Sequence, residues 1–180
     1  MPSDLFTGID HSAASTPWLH TPMEVYASLG LVLLAGLPLA GWWVARSRDD
    51  CTMAAALPAP VAVVVAVVLQ QPVISWAGHP RPFVVHPDAL VLVSRSADSS
   101  FPSDHACVVG AVSAVLSLLM AFACVYVGVH WPADVAAGLL FGAAVATVVV
   151  LLLRAPASRL VARARAAGLA RVLGTEPAAD

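Results

Sequence analysis

Four long apolar stretches alternate with short polar ones along the chain, and the placement of charge decides how each is read. Residues from about Val25 to Ala45, Met53 to Trp76 and Val135 to Leu153 contain no Lys, Arg, Asp or Glu. A helix needs about 20 mostly apolar residues to cross a bilayer core, so each of these runs predicts a transmembrane helix. Between them lie a short turn with Arg46, Arg48, Asp49 and Asp50, and a longer stretch, Ala77 to His105, rich in Pro, Ser, Asp and His. That longer stretch cannot lie in lipid, where its backbone groups would find no partners, so it predicts a polar loop at the membrane surface.

The fourth run, Ala106 to Val129, is equally free of charge but has polar motifs at both ends. Read as one helix, the chain from His105 to His130 would rise about 37 Å at 1.5 Å per residue. That exceeds a hydrocarbon core of about 30 Å and would carry the two histidines to opposite faces. It would also place the C-terminal arginines outside, against the tendency of Arg and Lys to stay in the cytoplasm. A re-entrant hairpin turning within Val112 to Tyr126 satisfies that tendency, although this stretch has no Gly, Pro, Asn or Asp to break a helix.

Composition supports a lipid environment. The hydrophobic set makes up 59% of the 180 residues and charged residues 11%, against roughly 45 to 50% and about 25% in soluble domains. The formal charge of -2 and the lack of a basic patch interleaved with aromatics argue against a nucleic-acid partner. Cys51, Cys107 and Cys124 have neither metal-like nor disulfide-like spacing, so three buried thiols are expected, with no metal and no cofactor. The chain divides into a polar, exposed leader (1–23), a transmembrane domain (24–155) and a basic tail (156–180) carrying Arg159, Arg163, Arg165 and Arg171.

Three polar stretches stand beside the spans: His79-Pro80-Arg81-Pro82-Phe83, Ser100-Phe101-Pro102-Ser103-Asp104-His105, and Gly128-Val129-His130-Trp131-Pro132-Ala133-Asp134. Ionisable groups at the edge of lipid are costly and are candidates for function. Ser103 and Asp104 precede an apolar run, at a predicted helix N-terminus where free N–H groups favour an anion such as phosphate. Asp134 follows His130 at helical spacing, with Pro132 suited to a first turn, so its carboxylate is expected to face the imidazole and fix its tautomer.

These stretches resemble the signature motifs of the type 2 phosphatidic acid phosphatase superfamily, which includes the vanadium haloperoxidases. The wording Pro-Arg-Pro-Phe and Ser-Phe-Pro-Ser-Asp-His is most similar to the undecaprenyl-pyrophosphatases linked to bacitracin resistance. The resemblance implies an all-α, multi-pass transmembrane bundle of that class, short by one helix. It also implies hydrolysis of undecaprenyl diphosphate to the monophosphate at the cell membrane, with the site loop extracytoplasmic. By the same resemblance His130 is the nucleophile that forms a phosphohistidine, Asp134 orients it, and His105 protonates the leaving oxygen. Arg81 and Ser103, with Pro102 and Asp104 beside them, bind the phosphoryl group of a polyprenyl or phospholipid phosphate.

Two positions depart from the family pattern. Ile74 stands where a Lys is usual, and Ala123-Cys124 stand where Ser-Arg is usual. The second removes a guanidinium, so a catalytically impaired lipid-phosphate binder is a rival reading. A phosphatidate or phosphatidylglycerol-phosphate phosphatase is a further alternative. The apolar chain argues against a soluble haloperoxidase.

Overall fold

A computed structural model describes residues 2–95, 98–103, 105–107 and 114–168. Its principal elements are the helices α1 (Pro2–Ser15), α2 (His20–Ala45), α3 (Asp50–Ala56), α4 (Pro58–Ala77), α5 (Pro82–Val85), α6 (Ala114–Tyr126) and α7 (Pro132–Ala166), with a 3-10 turn at Pro17–Leu19. The protein is all-α, as its pattern of apolar runs predicts. Among the described residues, three segments are long and apolar enough to cross a membrane: Pro17–Ala45, Asp50–Val85 and Pro132–Ala166. Their outward faces carry bare aliphatic side chains, among them Val32 and Leu33 on α2, Val64 and Val68 on α4, and Leu140, Leu151 and Leu152 on α7. In water such a surface would drive aggregation, whereas in lipid it is solvated.

Local chemistry sets the element ends. Asp49 caps α3 by accepting the Thr52 N–H at 2.7 Å. Pro58 opens α4 and Pro132 opens α7, positions where the missing N–H would lack a helical partner anyway. Gly128 turns the chain between α6 and α7 with φ of 79°. A side chain there would strike the Leu90 carbonyl, so only glycine fits.

The two ends of the bundle differ. At one end, Ala45, Met53, Ala54 and Val161 close the junction of α2, α3 and α7. There Arg165 pairs with Asp50 at 2.7 Å and donates to the Arg48 carbonyl at 2.9 Å. At the other end, the loop after α4 is tied to the start of α7 by the Trp131 indole N–H, which donates to the Pro80 carbonyl at 3.0 Å. Arginine therefore collects at one end and the three polar motifs at the other.

Several expectations need correction. Residues 2–15 are not an exposed leader: they form α1, which buries Phe6 and Ala13. Phe6 stacks against Trp131 and His86 at ring separations of 5.1 and 6.0 Å, and the Asp10 carboxylate accepts the Leu90 N–H at 2.9 Å. Phe6, Ile9 and Ala13 form a helical apolar stripe within a polar composition. α7 continues past residue 155 to Ala166 and buries Val161 beyond it. Cys51 is exposed, while Cys107 and Cys124 are buried, and none of the three is in a disulfide among the described residues.

The run after His105 is not a single crossing helix. Residues 105–107 are helical and α6 begins at Ala114, while residues 108–113 lie outside the described residues. The reversal does not fall in Ala114–Tyr126, which is uninterrupted helix. Residues 103–107 and the start of α7 pack closely because Gly138 and Gly142 present bare backbone to Ser103, Ala106 and Cys107.

Candidate active site

The folded chain brings His105 and His130 to the same cavity. It measures about 310 Å³ and is lined by Ala27 and Ser28 of α2, Arg81, Val93 and Ser94 of the loop, His105, Cys124 of α6, Val129 and His130. Of the two paths weighed for this run, the single crossing helix, which would carry the histidines to opposite faces, does not fit this arrangement. Two of its lining groups, Ala27 and Ser28, come from the first span, which the motifs do not touch.

Arg81 is held by backbone oxygens. Its Nε donates to the Asp98 carbonyl at 3.0 Å and its NH1 donates to the Val129 carbonyl at 3.2 Å. These bonds aim the guanidinium, and among the described residues no carboxylate pairs with it, which suits it to an anionic ligand. Arg95 is placed elsewhere: its guanidinium sits over the Phe83 ring at 5.4 Å, although its neighbour Ser94 lines the cavity.

His130 is buried, and its Nδ1 lies 3.0 Å from the Ser100 carbonyl oxygen. A carbonyl can only accept, so Nδ1 carries the hydrogen and Nε2 keeps the lone pair. Burial, first, and then the nearby charge of Arg81 push the His130 pKa down to about 3, so the ring is neutral at physiological pH. A neutral imidazole with a fixed tautomer beside a cation is a nucleophile facing an anion site.

The helical spacing predicts that Asp134 faces that imidazole, but its carboxylate is engaged elsewhere. Its Oδ2 accepts the Trp131 N–H at 3.1 Å and the Ser100 hydroxyl, and its Oδ1 pairs with His79 Nδ1 at 3.4 Å. The cause is the first turn of α7: Asp134 occupies the third helical position and folds back over the free N–H groups there. The carbonyl of Ser100 takes the orienting position. Ser100 and His79 were read only as parts of motifs, and their contacts are long-range in sequence, so no local spacing signals them.

Ser103 is fully buried. Its hydroxyl accepts the Ala106 N–H at 3.5 Å, and its own N–H donates to the Asp134 carbonyl at 3.3 Å. It lies behind the cavity wall rather than on it. Pro102 is buried beside it, joined to Phe101 through a cis peptide bond. Asp104 lies outside the described residues. Among the described residues, no cluster of three or more His, Cys, Asp or Glu is placed to hold a metal ion.

Comparison with known proteins gives the chain its family. The PAP2 superfamily pattern matches residues 108–157. The chain is 30% identical over 158 residues to Putative undecaprenyl-diphosphatase YbjG of Escherichia coli, covering 77% of this chain and 75% of that protein. The chain belongs to the PAP2 superfamily. It is also 31% identical over 134 residues to the Bacitracin transport permease protein BcrC of Bacillus licheniformis, covering 67% of this chain and 61% of that one. An Undecaprenyl-diphosphatase of Sulfolobus acidocaldarius is 35% identical over 97 residues, covering 46% of this chain and 47% of its own length. No solved structure matches the chain significantly. Within this superfamily member, Cys124 is notable because it puts a thiol on the cavity wall, at the position where the family motif has Arg.

Proposed function

We propose that this membrane protein is a lipid-phosphate phosphatase that removes the terminal phosphate of undecaprenyl diphosphate. The observation that supports this reading most directly is the neutral, tautomer-fixed His130 on one cavity with Arg81 and His105. In the proposed reaction the Nε2 lone pair attacks the terminal phosphorus as the bond to the bridging oxygen breaks. Arg81 neutralises the equatorial oxygens, and His105 donates a proton to the leaving monophosphate. Water then attacks the phosphohistidine with His105 as base, releasing inorganic phosphate and restoring both rings. Throughout, the Ser100 carbonyl accepts from Nδ1–H and offsets the positive charge that the ring gains on phosphorylation.

The site end of the bundle lies outside in this reading, since arginine gathers at the other end. Ser28, within the first span, places one wall of the cavity below the membrane surface, where a lipid diphosphate arrives sideways from the bilayer.

A second reading, a lipid-phosphate binder with impaired turnover, is favoured by Cys124 on the cavity wall. Losing one preorganised donor costs about 100- to 1000-fold in turnover. Phosphate release from undecaprenyl diphosphate by the purified protein, run beside His130→Ala and Cys124→Arg, separates the two. Release that His130→Ala abolishes supports the phosphatase. Release seen only after Cys124→Arg supports the impaired relative, and none in any variant defeats the phosphatase reading. Phosphatidate and phosphatidylglycerol phosphate as competing substrates distinguish the lipid.

A further inference from the structure

Ser100 is gripped on three sides. Its N–H donates to the His79 carbonyl at 2.8 Å, its hydroxyl donates to Asp134, and its carbonyl accepts from His130 Nδ1. The Asp134 carboxylate, fully buried, is itself met by the His79 ring, whose Nδ1 lies 3.4 Å from Oδ1. His79 thus holds Ser100 twice, by its own carbonyl and through Asp134. Its ring is about half exposed, with a side-chain accessibility of 49%, and packs edge-on to Phe101 at 6.4 Å. The next links are equally short-tethered: the His79 N–H donates to the Ser99 hydroxyl at 3.0 Å, and Trp131 fixes the Pro80 carbonyl.

We infer that His79 is a positioning residue, which through Asp134 and Ser100 fixes the tautomer and orientation of His130. The physical reason is that an imidazole selects its lone-pair nitrogen by what the other nitrogen meets. In this site that partner is a loop carbonyl, which has no rigid helix of its own and depends on its neighbours. Asp134 Oδ1 makes no hydrogen bond among the described residues, so without the His79 ring it loses the polar group that faces it at 3.4 Å, inside a site where an uncompensated carboxylate oxygen is costly. The carboxylate then turns toward other partners, and the Ser100 hydroxyl and carbonyl shift with it.

The kinetic consequence rests on the phosphatase reading, whereas the tautomer itself does not. The experiment therefore has two arms on the full-length protein in detergent: kcat and KM for phosphate release from undecaprenyl diphosphate, and the 15N resonances of ring-labelled histidine, with His130 assigned by His130→Gln. His79→Leu and His79→Ala remove the ring nitrogen, and His79→Gln supplies another N–H donor. Wild type should show a single His130 tautomer protonated at Nδ1. His79→Leu should show a mixture, with kcat down about 10- to 100-fold, the range expected for a misplaced reacting group, and KM within about twofold. His79→Gln should recover most of both. If either the Leu or the Ala variant elutes as a folded monodisperse species and keeps the single tautomer, the inference is wrong. It is also wrong if Gln is as impaired as Leu. Wild-type protein that releases no phosphate yet shows the tautomer shift refutes the phosphatase reading and leaves the positioning role standing.

Discussion

Replacing Gly138 with Ala tests whether the close approach of residues 103–107 to α7 controls the site. A Cβ at Gly138 would lie 2.7 Å from the Ser103 carbonyl oxygen, 2.9 Å from Ala106 Cβ and 3.2 Å from the Cys107 nitrogen. Ordinary contact begins near 3.4 Å, so the strand of chain that carries His105 must retreat by about 0.7 Å. Two of the three obstructing atoms are backbone, which cannot swing aside as a side-chain tip does. Displacing a reacting group by 1 Å costs on the order of 100-fold, which sets the expected loss of phosphate release at about 10- to 100-fold. Overpacking should also lower stability by about 1–3 kcal/mol. Gly142→Ala should be worse, because its Cβ would meet the Cys107 carbonyl more closely still. Gly41→Ala is the control, since nothing lies within 4 Å of a Cβ there. Phosphate release and thermal unfolding in detergent are measured for all three. A Gly138→Ala protein as active and as stable as Gly41→Ala would refute the claim that this contact sets the position of His105.

Phe6→Ala should destabilise the fold by about 3–5 kcal/mol, the usual cost of deleting a buried aromatic, and lower the melting temperature although Phe6 is outside every span. Arg165→Ala should cost about 1–2 kcal/mol, because it leaves Asp50 and the Arg48 carbonyl without their partner in a half-exposed setting; KM should not change. For His130, whose pKa falls from 6.5 to about 3 on folding, the unfolded chain binds the extra proton first. Stability from this group is fully present above pH 6.5 and lost as pH drops toward 3. Melting temperature against pH should therefore fall across that window, and His130→Gln should flatten the fall.

The spans and the three motifs were legible in the sequence because each rests on local signals: uncharged length for the helices, and ionisable residues against an apolar background for the site. What escaped was made by distant contacts. The apolar stripe of Phe6, Ile9 and Ala13 is too short and too diluted by Ser, Thr and Asp to outweigh the polar composition of its segment. The spacing put Pro132 in the first turn of α7, but His130 precedes the extended N-cap Trp131, and the Asp134 carboxylate answers to the helix N-terminus and to His79, which no local window contains. The meeting of His105 with His130 depends on the two glycines of α7, whose meaning appears only when the facing backbone is known.

The meeting of His105 and His130 on one cavity has a consequence for the two ends of the molecule. An excursion that enters and leaves on one side adds nothing to the number of full passages, and among the described residues three segments are long and apolar enough to cross, an odd number. Odd parity separates α1 from the far end of α7: an epitope placed near Thr16 and another near Ala166 should be reached from opposite compartments. Impermeant labels applied to intact cells and then to lysed ones would read that parity directly, with no substrate required.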